Sequence, residues 1–476
     1  MNKILKENEK VLIWAAVMIF SGIYISLIWN SNVWMDEAFS ASLVHTDLAG
    51  VIKRSMADTL PPLYNIILKF MTSAMGYSIP VMKLTSVIPM ILTMTVGATV
   101  VRRRFGIKTA LLFISFITFM PLMLYFGVEI RMYSLGFFFT TASGIYAYET
   151  VCSPSFKNWA GFTAFSVLAG YSHHFAFVAA GFCYLYLLIY FIVRDRSRVK
   201  SWLLCLLATF VLYVPCLIIT LRQISRVSGY FSMPDITLRV FVQYMAYPYI
   251  VGFTPATVAA ALLMAAALAL AVYAVFSKKG RDPEAVYGLC CFSVYYGVLI
   301  FGTAVTSIMS ANIFVDRYLF FSTGLLWLFA AVLLARSDKA FFAAAVTALF
   351  VGACTYSVEF RTEYGVSADE EIEFLRENIN EGDVLYSIGG HEEMQNCIPF
   401  YTYVDKQTAE LEYVYPLELA AETAKDKGTT LWVAVLDGYA PSDEELAVLD
   451  GQGLHMIKEA DFEFDRYRCG FYKASR

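Results

Sequence analysis

Long apolar runs constrain the fold of this sequence more than any other feature. A helical run of about 20 apolar residues matches the thickness of a bilayer core, and in lipid every backbone group must find its partner within the protein. The sequence contains eleven such runs, so it predicts an α-helical polytopic membrane protein with about 11 transmembrane helices. The runs lie at residues 11–29, 81–101, 109–126, 132–149, 158–172, 174–193, 201–220, 254–276, 285–309, 317–335 and 339–357.

Charge divides the chain near residue 358. Residues 358–476 hold 26 acidic and 10 basic side chains, and the rest of the chain holds 14 acidic and 26 basic ones. A composition with 58% hydrophobic and 16% charged residues excludes a soluble fold, a disordered chain and a nucleic-acid binder. We therefore predict a transmembrane domain at 1–357, with outer loops at 30–80 and 221–253, and a C-terminal domain at 358–476.

The positions of lysine and arginine predict the orientation. These residues cluster before the first run and after the second, sixth, eighth and tenth, and cytoplasmic loops are enriched in them. We therefore expect a multi-pass protein of the plasma membrane, with a cytoplasmic N-terminus and an extracytoplasmic C-terminal domain. The clusters comprise Lys3, Lys6, Lys10, Arg102, Arg103, Arg104, Lys108, Arg194, Arg196, Arg198, Lys200, Lys278, Lys279, Arg281, Arg336 and Lys339.

The acidic tail alternates between helical and strand patterns, which predicts a small α/β domain with its own core. Its two cysteines, Cys397 and Cys469, are candidates for a disulfide in an oxidising exterior. The sequence gives no distance between them. Helices are predicted at 369–380, 417–427 and 444–450, and strands at 384–388, 430–436, 455–460 and 466–472.

Ionisable residues collect at the predicted outer ends of the apolar runs. Such residues are costly at membrane level, so five segments that converge on one face indicate a functional site. Simpler roles remain open for each: a helix-dipole contact for Asp36 and Glu37, snorkelling for Arg131 and Arg317, and an ordinary interfacial position for the histidines. The segments are WMDEAFS (34–40), DTLPPLY (58–64), EIRMYSL (129–135), YSHHF (171–175) and DRYL (316–319).

These motifs resemble those of polytopic GT-C glycosyltransferases, and in pattern they are closest to the protein O-mannosyltransferase and aminoarabinose-transferase group. The resemblance covers about residues 10–340, and its first three motifs are the most specific. It implies inverting transfer of a sugar from a polyprenyl-phosphate carrier to an acceptor hydroxyl on the outer face. The chain departs from the pattern at Leu60, where members often have a histidine before the Pro-Pro pair.

The resemblance also implies residue roles that agree with the chemistry. An acceptor hydroxyl needs a carboxylate to take its proton, and the planar fork of arginine suits phosphate oxygens. The implied roles are Asp36 as base with Glu37 as fallback or partner; Arg131, Arg317, His173 and His174 as donor-phosphate ligands; and Asp58, Glu129, Tyr133 and Tyr64 as support for the substrate or metal site.

No cofactor is required by these residues, although Asp36 and Asp58 are the carboxylates that would hold Mg²⁺ or Mn²⁺. The expected partners are a polyprenyl-phosphate-linked sugar, an acceptor glycan, lipid or protein, and membrane lipids, with no nucleic acid. A transporter or flippase for lipid-linked sugars, a glycan ligase or polymerase, and a receptor are the alternatives. A transporter would need charged or broken helices near mid-membrane, and runs four, six and ten contain almost none.

Overall fold

The computed structural model describes residues 8–227, 236–250, 253–276, 283–309, 313–360, 367–389, 391–404, 411–464 and 467–475. The predicted basic residues Lys3, Lys6, Lys278, Lys279 and Arg281 lie outside these ranges. The helices are α1 (Glu9–Ser26), α2 (Met35–Val44), α3 (Leu48–Ala57), α4 (Leu63–Met75), α5 (Ile79–Val96), α6 (Arg102–Phe105), α7 (Ile107–Phe119), α8 (Met123–Val128), α9 (Tyr133–Cys152), α10 (Phe156–Ser172), α11 (His174–Arg194), α12 (Val199–Val227), α13 (Leu238–Ala246), α14 (Pro255–Phe276), α15 (Pro283–Met309), α16 (Phe320–Leu334), α17 (Asp338–Glu359), α18 (Asp369–Asn378), α19 (His391–Tyr403), α20 (Leu417–Lys427) and α21 (Asp443–Gly451). The strands are β1 (Val384–Ile388), β2 (Glu412–Tyr413), β3 (Leu431–Leu436), β4 (His455–Phe464) and β5 (Tyr467–Ser475).

Ten of the eleven apolar runs coincide largely with one helix each and the third is divided between α7 and α8, so the predicted fold class is confirmed. Within the described residues, eight helices are long and apolar enough to cross a membrane, so the chain is a multi-pass membrane protein. The count of eleven spans stays a prediction. The clearest difference is in α7, which ends at Phe119 because Met120 precedes Pro121 and is extended. Leu122 then takes a left-handed conformation with φ of 68° before α8 begins.

The chain forms two compact units that do not follow the sequence order. Unit 1 contains the described residues of Met1–Ser26, Ile52–Tyr64 and Ser86–Ser357. Unit 2 contains those of Leu27–Val51, Asn65–Thr85 and Val358–Arg476. Two pieces of the first predicted outer loop therefore belong with the acidic tail, and the domain boundary near residue 358 stays a prediction.

Helix α9 lies at the centre of unit 1 and is buried along nearly all of its length. It packs against α10, α11 and α16. Its contact with α16 is close because glycines face bulky neighbours across it. A methyl group at Gly136 would lie 2.6 Å from the ring of Phe321, and one at Gly324 would overlap Thr141.

Ion pairs connect the helix ends next to several of the predicted cytoplasmic basic clusters. They join the start of α1 to α6, α6 to the end of α9, the start of α7 to the start of α17, and the end of α16 to the start of α15. These contacts gather the helix ends into one region of unit 1, while its side of the membrane stays a prediction. The pairs are Arg102–Glu9 (2.8 Å), Arg104–Glu149 (2.7 Å), Lys108–Asp338 and Arg336–Glu284 (2.7 Å).

The sheet of unit 2 has the order β2-β1-β3-β5-β4. Strands β2, β1 and β3 are parallel, whereas β5 is antiparallel to both β3 and β4. One face packs on α20 through Val384, Val433 and Ala420. Among the described residues, the two candidate cysteines form no disulfide with each other, since Cys397 in α19 and Cys469 in β5 are both buried thiols. Burial raises the pKa of Cys469 to about 12.

Candidate active site

The connection between α8 and α9, in unit 1, contains two buried residues of opposite charge, Glu129 and Arg131. The amide of Arg131 donates a hydrogen bond to the carbonyl of Glu129 at 2.6 Å, which closes a tight turn before α9. Both side chains are buried. Buried charges of opposite sign are retained where each stabilises the other or a ligand, so this turn is a candidate binding element.

A short hydrogen-bond chain ties this turn to the start of α4. The hydroxyl of Tyr64 lies 2.8 Å from Oγ of Ser86, and Ser86 donates to the carbonyl of Arg131 at 3.4 Å. Tyr64 therefore supports the backbone of Arg131 through Ser86.

Arg317 belongs to the same neighbourhood. It lies in the 3₁₀ turn Asp316–Leu319, where its amide donates to a carboxylate oxygen of Asp316 at 2.7 Å. The ring of Phe321 packs on both His173 and Tyr133, at centroid distances of 4.5 and 6.0 Å, and Tyr318, which follows Arg317, packs on His173 at 4.6 Å. Arg131 lies two residues before Tyr133. The structure thus brings together four of the predicted phosphate-site and support residues in unit 1, with Glu129 beside them.

His173 is held as a neutral hydrogen-bond donor. Its Nδ1 accepts the amide hydrogen of Phe175 at 3.1 Å at the start of α11, so Nε2 carries the proton. The ring packs between Tyr318 and Phe321, with centroid distances of 4.6 and 4.5 Å. A neutral imidazole with a proton on Nε2 can donate to a phosphate or sugar oxygen without adding charge.

His174 instead holds the turn between α3 and α4. Its Nε2 lies 3.3 Å from the carbonyl oxygen of Thr59 and 3.2 Å from Oε1 of Gln223. The amide nitrogen of Gln223 donates to the carbonyls of Ser55 and Leu60, at 3.3 and 3.0 Å. His174 and Gln223 therefore fix the segment that contains Asp58 through the backbone of its neighbours Thr59 and Leu60.

A largely apolar cavity of about 340 Å³ lies against this cluster. Its walls include Leu60, His173, His174, Gln223 and Tyr318. Besides the two histidines, Gln223 and Tyr318, the polar residues of the wall are Thr59, Tyr213 and Thr220, and the remaining wall residues offer hydrocarbon to a ligand.

Asp36 and Glu37 lie in unit 2, in the first turn of α2. A carboxylate oxygen of Glu37 accepts the amide hydrogen of Trp34 at 3.2 Å, which caps the start of the helix. This bond occupies Glu37 in a structural role.

Three polar residues that contact a predicted motif or the segment just before one were missed by sequence reasoning. Gln223 holds the Asp58 turn; Lys83 donates to the carbonyls of Asn30 and Asn32 at 2.8 and 2.9 Å. Tyr401 contacts the segment that precedes Asp36. Lys83 is the one charged residue in the run at 81–101, a signal that could have identified it. Gln223 and Tyr401 carry no comparable signal.

In the part of the chain that the structure describes, no group of three or more His, Cys, Asp or Glu side chains is placed to hold an ion. Oδ1 of Asp58 accepts the hydroxyl hydrogen of Thr59 at 3.4 Å.

Comparison with solved structures identifies the fold. The crystal structure of ArnT from Cupriavidus metallidurans bound to undecaprenyl phosphate matches with a TM-score of 0.61 and 13% identity, over 97% of both chains. The chain has a GT-C glycosyltransferase fold. The GT-C resemblance inferred from the motifs is therefore confirmed for the fold.

Two further GT-C structures are similar at lower scores. The apo form of the same ArnT gives a TM-score of 0.49 at 12% identity over 97% of both chains. The Archaeoglobus fulgidus oligosaccharyltransferase in complex with Zn and sulfate gives 0.42 at 11% identity, over 88% of this chain and 68% of that one. No family model and no curated protein sequence matches the chain.

Proposed function

We propose that this protein transfers a sugar from a polyprenyl-phosphate carrier to an acceptor hydroxyl on the outer face of the plasma membrane, with inversion. The observation that carries the proposal is the packing of His173 and Tyr133 around Phe321, with Arg317 and Arg131 beside them in the sequence, in a chain with a GT-C fold. Two arginines and a neutral imidazole suit a phosphate leaving group, because charge accumulates on its oxygens as the glycosidic bond breaks.

The proposed reaction is a single displacement. The acceptor oxygen attacks the anomeric carbon from the face opposite the phosphate, and the bond between that carbon and the phosphate oxygen breaks. The bonding electron pair leaves with the polyprenyl phosphate, which is already a stable anion and needs no general acid. Asp36 takes the hydroxyl proton, and attack from the opposite face inverts the anomeric centre.

The other residues act as supports in this proposal. Glu129 and Tyr133 flank the phosphate site, and Tyr64 steadies Arg131 through Ser86. Asp58 lies on the turn that His174 and Gln223 fix. Since two arginines supply the positive charge that the leaving group needs, we expect transfer to proceed without Mg²⁺ or Mn²⁺.

The test uses purified protein and a panel of radiolabelled polyprenyl-phosphate monosaccharides, with loss of label from the lipid as the readout. Asp36→Asn is expected to lower kcat by 10²- to 10⁴-fold, the range for removal of a general base. The matched control is Asp47→Asn, because Asp47 caps α3 in the same loop by accepting the amide hydrogen of Gly50 at 2.8 Å, and asparagine caps equally well.

Equal turnover by wild type and Asp36→Asn would remove Asp36 as the base and leave Glu37→Gln as the next variant. No turnover with any donor, together with flipping of labelled lipid in liposomes, would replace the transferase by the transporter.

A further inference from the structure

The acidic tail holds the segment that leads into the Asp36 helix. The hydroxyl of Tyr401, on α19, accepts the amide hydrogen of Val33 at 2.9 Å and lies 3.2 Å from the carbonyl oxygen of Ser31, to which it donates. Tyr401 is fully buried. One side-chain hydroxyl thus serves both a backbone donor and a backbone acceptor more than 360 residues earlier in the chain.

Neighbouring contacts fix the same stretch of backbone. The thiol of Cys397, one helical turn before Tyr401, lies 3.7 Å from the carbonyl of Val33 and donates to it. On the other side, Lys83 donates to the carbonyls of Asn30 and Asn32. The ring of His45, just after α2, stacks on Tyr403 of α19 at 4.4 Å. Helix α2 is therefore held by α19 at both of its ends.

We propose that Tyr401 is a positioning residue for the transfer reaction: it fixes the backbone of residues 31–33 and thereby sets where α2 presents Asp36. The inference rests on the proposed function, in which Asp36 is the base. In this proposal the tail contributes to catalysis by positioning Asp36 and not by providing a reacting group.

The contact between Tyr401 and Val33 acts directly on α2 because Val33 lies only two residues before the start of that helix. Val33 immediately precedes Trp34, whose carbonyl accepts the amide hydrogens of Glu37 and Ala38 at 3.0 and 2.9 Å and so begins the helix. A shift of the Val33 peptide moves the first helical turn with it. A displacement of about 1 Å in a catalytic group can cost up to about 100-fold in rate, so loss of one anchoring hydroxyl has a measurable effect.

The test compares Tyr401→Phe with Tyr386→Phe in the full-length protein. Both variants remove one buried or largely buried hydroxyl from the tail, but that of Tyr386 donates to Glu445 within the tail at 2.9 Å. Tyr401→Phe is expected to lower kcat about tenfold with KM for the donor unchanged, and Tyr386→Phe is expected to leave both constants within twofold of wild type. Cys397→Ala, which removes the weaker contact to the carbonyl of Val33, is expected to lower kcat by less.

Hydrogen–deuterium exchange supplies a readout that does not depend on turnover. Peptides covering residues 30–38 are expected to exchange at least threefold faster in Tyr401→Phe than in wild type, with no change in Tyr386→Phe. Unchanged exchange in this region, or equal kcat in the two variants, would overturn the positioning role. Faster exchange in a protein that transfers no sugar would support the anchoring of residues 31–33 and reject the transferase function.

Discussion

At the scale of single residues, the arginines of unit 1 are the most direct test of phosphate binding. Arginine presents a planar, bidentate fork, whereas lysine is a point charge, so exchanging them retains the charge and removes the geometry. We expect Arg131→Lys and Arg317→Lys each to lower kcat/KM for the lipid donor about 10- to 100-fold. The initial rate of label transfer, measured over a range of lipid-donor concentrations, gives kcat/KM for each variant.

Arg102→Lys is the control, because Arg102 makes an arginine–carboxylate pair with Glu9 and belongs to none of the predicted site motifs. If Arg131→Lys and Arg317→Lys behave like this control, neither arginine binds the donor phosphate, and snorkelling becomes the better explanation of both.

Residue types were easier to predict than residue contacts. The motif residues could be selected because ionisable groups at membrane level are costly, and several of them do come together in unit 1. Tyr401 and Gln223 could not be selected, since a buried tyrosine or glutamine is common and its partner is decided by the tertiary fold. The different roles of His173 and His174 likewise depend on which ring nitrogen meets which neighbour.

At the scale of secondary-structure elements, the close contact of α9 with α16 predicts a stability difference. Gly324→Ala places a methyl group against Thr141 and the ring of Phe137, both in a packed interior, and should lower the free energy of unfolding by about 1–3 kcal/mol. Thermal unfolding in detergent measures the change.

Gly181→Ala is the matched control on α11, where a methyl group meets no atom within 4 Å. It should be neutral or stabilising by up to about 1 kcal/mol, because alanine favours a helix more than glycine does. A Gly324→Ala protein as stable as Gly181→Ala would mean that α9 and α16 are less tightly packed than described.

Elements with a strong local signal were predicted well, and those that depend on distant partners were not. The long apolar helices and the strands β1, β3, β4 and β5 follow from hydrophobicity and pattern. Helix α19 was missed because it contains Pro399 and owes its burial to partners such as Val33. Strand β2 has two residues and exists through its parallel pairing with β1.

At the scale of the whole molecule, the charge pattern gives a testable orientation. In a background with the exposed Cys152 and Cys354 replaced by serine, Asp47→Cys is expected to react with an impermeant maleimide added to intact cells. Arg103→Cys is expected to react only after permeabilisation, because it belongs to a predicted cytoplasmic loop. Labelling of Arg103→Cys from outside would reverse the orientation and move the proposed reaction to the other face.

Which segments of the chain make up unit 2 could not be predicted from the sequence. Hydropathy and charge patterns describe residues that are adjacent in the sequence. They correctly distinguish the acidic tail from the apolar segments. They carry no information about which loop a tail will pack on, and the grouping of residues 27–51 and 65–85 with the tail rests on contacts across more than 300 positions.

The bond between Tyr401 and Val33 has a consequence for synthesis. A ribosome adds about 5–20 residues per second, so Val33 is made on the order of tens of seconds before its partner. During that interval the Asp36 helix lacks the support of α19. A chain that stops before residue 401 cannot complete this anchor, so premature termination yields a protein in which residues 31–33 lack their contact with Tyr401. Competence for the proposed reaction is then expected to be acquired last, when the tail has folded.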